Sequence, residues 1–276
     1  MINWNMHAHT NASDGDLSAE EVVRRAVDEG LAGVAITDHF PFPYRPDQPV
    51  NWAASRQAFE RHLQVIETLQ DKVDSLQILK GAEVEYLPSL DTLAHWLSGL
   101  DLDFVLGGTH ILDGWVVDVS EEIFCQGKKH FGGFRGAIEC YYEAVGELGE
   151  SGLVDSIAHL DVVKKYNPQS RYFNEDEPWY RQAVERCLQR IARTGVAIEV
   201  NTAGLRGMVG DLYPSEWILR RARELDIPVT VGVDFHRDRD RVSAGLAQAE
   251  TALRAAGYDG YLIFRGRRAE ALSLRP

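Results

Sequence analysis

Apolar residues form two kinds of pattern along the chain, a helical repeat and short strand-like runs. The two patterns alternate from end to end. Ser18 and Glu21 have the spacing of a capping box, apolar residues then recur on one helical face through Val27, and Gly30 suits a helix stop. Similar helical patterns follow farther along. They cover about residues 52–70, 89–98, 133–150, 178–194, 215–225 and 243–256.

Between the helical patterns lie short apolar runs typical of buried strands. They cover about residues 3–6, 34–37, 76–84, 103–108, 153–158, 196–200, 229–233 and 260–264. Residues 111–131 fit neither pattern and are predicted to be a loop with a short extended piece at 115–119. Strict alternation of strands and helices predicts a parallel sheet covered by helices. No linker or repeat interrupts the series, so we expect one domain over residues 1–276.

Six of the nine histidines lie just beyond the ends of predicted strands. His7 and His9 end the first strand, and because alternate strand residues point the same way, both rings can reach one metal ion. Asp234 and His236 repeat that spacing after a later strand. The other strand-end histidines are His39, His110 and His159. Such a density of imidazole predicts a metal site, and its spread over many strand ends favours a closed barrel over an open sheet.

Acidic residues accompany these histidines. Asp14 follows the first pair in a tight loop. Glu83 and Glu85 would face the same way on a strand, and we assign Glu83 as the ligand and Glu85 as a supporting acid or a surface charge. Asp161 either orients an imidazole or caps the next turn. The remaining histidines, His62, His95 and His130, are predicted to be surface residues.

Composition narrows the class of protein. The chain has 42 acidic and 29 basic side chains, a net charge of -13, which disfavours nucleic acid as a partner. No apolar segment is long enough to span a membrane, and Met1–Asn5 lacks the features of a signal peptide. The three cysteines, Cys125, Cys140 and Cys187, have no metal-binding or disulfide spacing, so a cytoplasmic protein with reduced thiols is expected.

A set of short motifs extends from residue 7 to residue 236. The motifs are His7-x-His9-Thr10, Ser13-Asp14-Gly15, Thr37-Asp38-His39, Glu83, His110, His159 and Asp234-x-His236. They resemble the motifs of the PHP (polymerase and histidinol phosphatase) superfamily. Within it the chain is most similar to the histidinol-phosphate phosphatase branch, on the stretches 81–86 (GAEVEY), 108–115 (GTHILDGW), 158–165 (AHLDVVKK), 199–206 (EVNTAGLR), 212–215 (LYPS) and 227–232 (IPVTVG).

The resemblance implies a distorted (β/α)7 TIM-like barrel with two or three divalent metal ions (zinc, manganese or iron) at the C-terminal rim of the strands. One ion would be held by His7, His9, Glu83 and Asp234. Glu83 would bridge it to a second ion held by His110 and His159. A third would be held by Asp14, His39 and His236. Two residues depart from the family pattern: Gly15 stands where some members have a histidine, and Phe235 stands where a small residue is usual and is expected to narrow the site.

These observations predict a metal-dependent phosphomonoesterase, and the resemblance implies L-histidinol phosphate as its substrate. The expected nucleophile is a water activated by metals on His7, His9, Glu83, Asp234, His110 and His159, since no cysteine or serine stands in a nucleophile motif. Arg206 is the candidate clamp on the phosphate. Tyr44 and Arg45, in the proline-rich segment 40–50, are candidates to close over the substrate.

Three alternatives remain open at this point. The enzyme could hydrolyse another small phosphate ester, such as a nucleotide or a sugar phosphate. A nuclease or a polymerase-associated proofreading module fits the acidic net charge and the lack of basic, aromatic-rich stretches less well. A metal-binding scaffold without activity fits the complete ligand set less well.

Overall fold

The computed structural model describes residues 1–40, 52–87 and 89–274. The prolines of the segment after Phe40, and with them Tyr44 and Arg45, lie outside the described residues. In chain order the strands are β1 (Trp4–Ala8), β2 (Gly33–Ile36), β3 (Gln77–Glu85), β4 (Phe104–Gly108), β5 (Ile111–Leu112), β6 (Trp115–Val116), β7 (Ser156–Ile157), β8 (Ala197–Asn201), β9 (Val229–Gly232), β10 (Gly260–Arg265) and β11 (Arg268–Ser273).

The α-helices lie mainly between the strands, as the alternating pattern predicts. They are α1 (Ala19–Asp28), α2 (Arg56–Lys72), α3 (Leu90–Leu97), α4 (Glu121–His130), α5 (Phe134–Glu150), α6 (Pro178–Ile191), α7 (Glu216–Glu224) and α8 (Leu246–Ala255). Short 3₁₀ turns cover Val162–Lys164, Pro168–Ser170 and Ala203–Arg206. The described part of the chain contains no helix that is both long and apolar enough to cross a membrane.

Seven parallel strands form the central sheet, in the order β1-β2-β3-β4-β7-β8-β9. The two edges of this sheet approach each other, since Ala8 bridges to Phe235 in parallel fashion and the His9 amide donates to the Phe235 carbonyl at 2.9 Å. The result is a nearly closed barrel, and the predicted fold class is confirmed. Closure brings together the carboxyl ends of β1 and β9, the first and last strands of the barrel. The pairs His7/His9 and Asp234/His236 are found there.

The barrel strands are buried throughout most of their length, which suits a parallel sheet covered by helices. Helix α1 begins as predicted: Ser18 accepts from the Glu21 amide, and the Glu21 side chain accepts from the Ser18 amide. Its apolar face, including Val22 and Val23, packs in the core.

The structure corrects the sequence-based elements in two places. The predicted loop 111–131 contains α4, whose amino end is capped by Ser120 and carries Glu121 and Glu122 in its first turn. These are ordinary helix-start signals that the weak apolar periodicity masked. The predicted last strand exists as β10, but it pairs antiparallel with β11 in a separate hairpin and is not part of the barrel.

Candidate metal centre

Nine side chains gather at the carboxyl ends of the barrel strands in three overlapping groups. Within each group the possible ligand atoms lie within 4.8 Å of one another. Two donors about 2.1 Å from a shared tetrahedral ion are separated by roughly 3.4 Å. The groups are therefore compact enough to hold an ion each. They are His7, His9 and Asp234; Glu83, His110 and His159; and His9, Asp14, His39 and His236.

The first group contains the two most deeply buried imidazoles. The Nε2 atoms of His7 and His9 lie 2.9 Å apart, and both rings are inaccessible to solvent. Asp234 Oδ1 lies 3.6 Å from His7 Nε2 and 3.7 Å from His9 Nε2. Glu83 Oε2 closes the group at 3.4 and 3.3 Å from the same two nitrogens.

Glu83 is a member of the second group and also contacts the first, because its two oxygens face different histidines. While Oε2 faces His7 and His9, Oε1 lies 3.1 Å from His159 Nε2 and 3.5 Å from His110 Nε2. The Nε2 atoms of His110 and His159 are themselves 3.1 Å apart. This is the geometry of a carboxylate that can bridge two ions.

The third group is wider and more open. Asp14 Oδ1 lies 3.3 Å from His236 Nε2, 3.9 Å from His39 Nε2 and 3.5 Å from His9 Nδ1. His9 thus presents its Nε2 to the first group and its Nδ1 to the third. The side chains of Asp14, His236 and His39 are 32%, 22% and 13% exposed, so this group is the nearest of the three to solvent.

The donor chemistry fits divalent cations. Pairs of imidazole nitrogens face each other at hydrogen-bonding distance, where one proton at most can lie between them. Carboxylates surround them at 3 to 4 Å, so a cation can accept the imidazole lone pairs and balance the negative charge. Mixed nitrogen and oxygen donors suit zinc, manganese and iron alike.

Two buried carboxylates orient two of the imidazoles by contacting the ring nitrogen that faces away from the proposed metal position. Glu199 Oε1 lies 2.7 Å from His7 Nδ1, and Glu85 Oε2 lies 2.8 Å from His110 Nδ1. Each contact places a proton on Nδ1 and leaves Nε2 free to bind a metal ion. Glu85 also accepts the amides of His110 and Ile111, so it is a supporting acid and not a surface charge.

Glu199 was missed as a site residue at the sequence level. Its signal is a single acid inside the otherwise apolar run Ala197–Val200, where an unpaired charge would be costly to bury. Asp161 matches neither role considered for it. Its Oδ2 accepts from the Ser215 amide and hydroxyl and lies 3.0 Å from Lys164 Nζ, and its side chain makes no helix-capping hydrogen bond.

The electrostatics of the site separate the imidazoles into two types. Burial alone would lower the pKa of His110, but Glu85 and Glu83 outweigh it and raise the pKa to about 10. His236 behaves similarly: burial lowers its pKa, while Asp14 and Asp234 raise it to about 10. For His39 burial dominates and lowers the pKa to about 3. Burial would raise the pKa of Glu83, but the surrounding histidines hold it well below its usual value.

A cavity of about 430 Å³ opens over the groups. Among the described residues, the lysine and arginine side chains that line it are Lys165, Arg206 and Arg237. The Arg206 guanidinium donates to the carbonyls of Val233 and Asp234 at 2.7 and 3.1 Å, and its Nε lies 3.4 Å from Asp240 Oδ2. Arg206 therefore supports the turn that carries Asp234, in addition to facing the cavity.

Lys165 is a cavity residue that sequence reasoning did not single out. Its Nζ lies 3.2 Å from Asp118 Oδ2. Burial lowers the pKa of Lys165, but Asp118 outweighs burial and raises it, so the amine is charged. The signal in the sequence was its position at the end of the stretch 158–165, shortly after His159.

Two predictions about individual residues are wrong. His62 is not a surface residue: its side chain is 9% exposed and its Nε2 lies 2.8 Å from Asp38 Oδ2. The reason is helical periodicity, since His62 lies on the face of α2 that also buries Phe59 and Ile66. Phe235 does not narrow the site, because its side chain is fully buried in the core and is not part of the cavity lining.

The other two unassigned histidines are exposed, as predicted. His95 lies on α3, and His130 pairs with Asp113 at 2.7 Å at the surface. Gly15 occupies a tight turn, where an added Cβ would lie 2.7 Å from the His9 carbonyl oxygen. A larger residue there would require the loop that carries Asp14 to shift.

Known proteins of one family are similar to this chain. A family model described as the PHP domain matches residues 5–203. The "Probable histidinol-phosphatase" of Deinococcus radiodurans is 30% identical over 239 residues, 86% of each chain, and the "Histidinol-phosphatase" of Bacillus subtilis is 26% identical over 80% of this chain and 87% of its own. The crystal structure of histidinol phosphate phosphatase from Lactococcus lactis, complexed with zinc, L-histidinol and phosphate, has a TM-score of 0.78 at 22% identity, over 97% of this chain and 98% of that one. The chain belongs to the PHP domain family.

Proposed function

We propose that this chain is a metal-dependent phosphomonoesterase that hydrolyses L-histidinol phosphate to L-histidinol and phosphate. The observation that carries the proposal is Glu83, whose two oxygens face two compact groups of imidazoles at the floor of one cavity. Curated relatives named as histidinol phosphatases, one of them 30% identical, support the substrate.

The proposed ligands are those implied by the family motifs, with His9 shared between the first and third groups. Bound zinc, manganese or iron would supply Lewis-acid stabilisation of the phosphoryl oxygens and activate water for attack at neutral pH. Glu199 and Glu85 hold His7 and His110 with Nε2 directed at the cation positions. Arg206 fixes the turn of Asp234 through two backbone carbonyls.

We assign the recognition of the phosphate dianion to Lys165, together with Arg206. Lys165 lines the same cavity as Glu83 and His159, and its one carboxylate contact among the described residues, Asp118, leaves further donors on the ammonium group. Several guanidinium donors of Arg206 are already used by Val233, Asp234 and Asp240. Lys165 therefore supplies the more available cation. Hydrolysis then breaks the ester P–O bond, the water oxygen stays on phosphate, and the alcohol leaves with a proton.

A substrate panel tests the proposal. The chain is stripped with a chelator, reloaded with Zn²⁺ or Mn²⁺, and assayed for phosphate release from L-histidinol phosphate, a nucleotide monophosphate, a sugar phosphate and p-nitrophenyl phosphate. We expect activity only after reloading, and kcat/KM for L-histidinol phosphate well above the other esters. Equal rates on all four esters would contradict the substrate assignment.

A matched pair of histidine variants separates an enzyme from a metal-binding scaffold. His159→Ala removes a proposed ligand, whereas His95→Ala removes an exposed imidazole from α3. We expect the first to lose phosphatase activity while it keeps its circular dichroism spectrum, and the second to retain both. The single-domain organisation over residues 1–276 and the cytoplasmic location stay predictions.

A further inference from the structure

The carboxylate of Asp38 holds the loop that carries one member of the third group. Asp38 Oδ1 accepts from the Thr10 amide at 2.7 Å and from the Ser13 hydroxyl at 2.6 Å. Its Oδ2 accepts from the Thr10 hydroxyl at 2.8 Å. These contacts bracket the turn that presents Asp14. The next residue after Asp38 is His39, so one carboxylate constrains the backbone near two of the four side chains in the group.

His62 reaches the same carboxylate from outside the barrel sheet. It projects from α2, and its Nε2 lies 2.8 Å from Asp38 Oδ2. The two side chains are 9% and 1% exposed, so solvent can replace little of this contact. Since α2 buries Phe59, Leu63 and Ile66 on the same side, the position of His62 is set by the packing of the helix.

The third group depends on such support more than the other two do. Its distances from Asp14 Oδ1, 3.3 to 3.9 Å, are on average longer than those around Glu83, and its side chains are the most exposed. The first and second groups have Glu199 and Glu85 in direct contact with their imidazoles. In the third group, His39 Nδ1 and His236 Nδ1 each lie 3.2 Å from a carboxylate, but these carboxylates, Glu83 and Asp234, are themselves proposed ligands of the other groups. An open group whose imidazoles share such carboxylates binds a cation tightly only if its backbone is held in place.

We infer that His62 and Asp38 form a positioning pair that sets the cation affinity of the third group without contacting the cation. His62 orients the Asp38 carboxylate, Asp38 holds the loop from Thr10 to Ser13, and the loop places Asp14 opposite His236. The inference rests on the proposed function only through its third metal position. Nothing in it requires a particular substrate.

Metal stoichiometry tests the pair directly. Chelator-stripped protein is dialysed against buffered free Zn²⁺ over a range of concentrations, and bound zinc per chain is counted by mass spectrometry of the metal. The variants are His62→Leu, which keeps the packing volume but no donor, His62→Gln, which keeps an N–H donor, and Asp38→Asn. His95→Leu is the control, because it removes an exposed histidine from the neighbouring helix α3.

The native protein is expected to bind three zinc ions, with the third the weakest. His62→Leu should lower the affinity for only that third ion, by roughly tenfold or more. This is the typical effect of replacing a residue that supports a metal ligand. His62→Gln should restore most of the affinity, and His95→Leu should match the native protein. In the double variant with Asp38→Asn, His62→Leu should add little, because it acts through that carboxylate.

Other outcomes overturn the inference. If His62→Leu binds three ions as tightly as the native protein, or weakens all three equally, the pair does not position the third group. A native protein that binds only two ions at all free zinc concentrations also overturns it. Phosphatase activity on L-histidinol phosphate is measured separately on the native protein, so that failure of the proposed function and failure of the positioning pair are distinguished.

Discussion

Glu199 Oε1 lies 2.7 Å from His7 Nδ1, and this contact joins strands at nearly opposite ends of the sheet order, β8 and β1. The second oxygen, Oε2, accepts the amide of His159 at 2.9 Å. His159 has a φ of +25°, in the left-handed region that side chains other than glycine rarely adopt. One buried acid therefore orients a proposed ligand of the first group and holds the backbone of a proposed ligand of the second.

Glu199→Gln should weaken metal binding at the first and second groups. The amide removes the negative charge that favours a proton on His7 Nδ1, and it presents a donor where an acceptor is needed. We expect a loss of roughly 10- to 100-fold in metal affinity or activity, which is typical when a residue that hydrogen-bonds a metal ligand is replaced. Zinc titration and kcat measured at saturating zinc check this. Glu216→Gln, at an exposed pair with Arg220, is the control and should leave both unchanged.

Gly232→Ala should disrupt the same contact by sterics. A Cβ at this position would lie 1.8 Å from Glu199 Oε1 and 2.6 Å from the Cβ of His7. We expect a destabilisation of at least about 1–3 kcal/mol, as for overpacked cores, together with loss of metal binding. Thermal unfolding of the metal-free protein measures the first effect. Gly207→Ala serves as the stability control, because its added Cβ meets nothing closer than 3.5 Å; equal melting temperatures for the two variants would contradict the prediction.

Lys165→Met should impair substrate binding more than chemistry. A hydrogen bond to a charged group contributes about 1.5–3 kcal/mol, which corresponds to a roughly 10- to 100-fold rise in KM for the phosphate ester. Inhibition by free phosphate should weaken in parallel, and the zinc content should stay native. Steady-state kinetics and metal analysis measure these effects. Lys129→Met, at an exposed position on α4, is the matched control; an unchanged KM in Lys165→Met would remove the residue from phosphate recognition.

Stability and metal affinity should depend on pH in opposite directions. His110 and His236 have pKa values raised from 6.5 to about 10 by neighbouring carboxylates. Their protonation therefore stabilises the metal-free fold fully below pH 6.5, and this contribution is lost as the pH rises through about 10. Metal binding needs the neutral rings, so it should release protons and strengthen with pH over the same window.

Thermal unfolding of the stripped protein and calorimetric zinc titration in buffers of different ionisation enthalpy check this dependence. We expect a melting temperature that falls between pH 6.5 and pH 10 and the release of at least two protons on loading. A stripped protein whose stability rises over that range would show that the carboxylates around His110 and His236 do not hold these protons.

The donor types of the proposed ligands and their grouping at strand ends could be predicted from the chain. Short apolar runs followed by His7, His9, His39, His110 and His159 place imidazoles on one rim as soon as the strands are parallel. Local capping signals likewise determine α1. These features depend on short-range sequence patterns, which the chain carries whatever its tertiary packing.

The tertiary structure decided which groups support the proposed ligands. Glu85 and Glu199 become partners of His110 and His7 only because neighbouring and distant strands are brought into register, and contacts across 25 and 192 positions of the chain leave no local pattern. The contact between His62 and Asp38 likewise leaves no local pattern. The tertiary structure also decided that β10 pairs with β11 and is not part of the barrel. The sequence by itself determined the elements and the donor atoms at their ends. Barrel closure decided which donors meet, because that depends on strand order, register and packing of the whole fold.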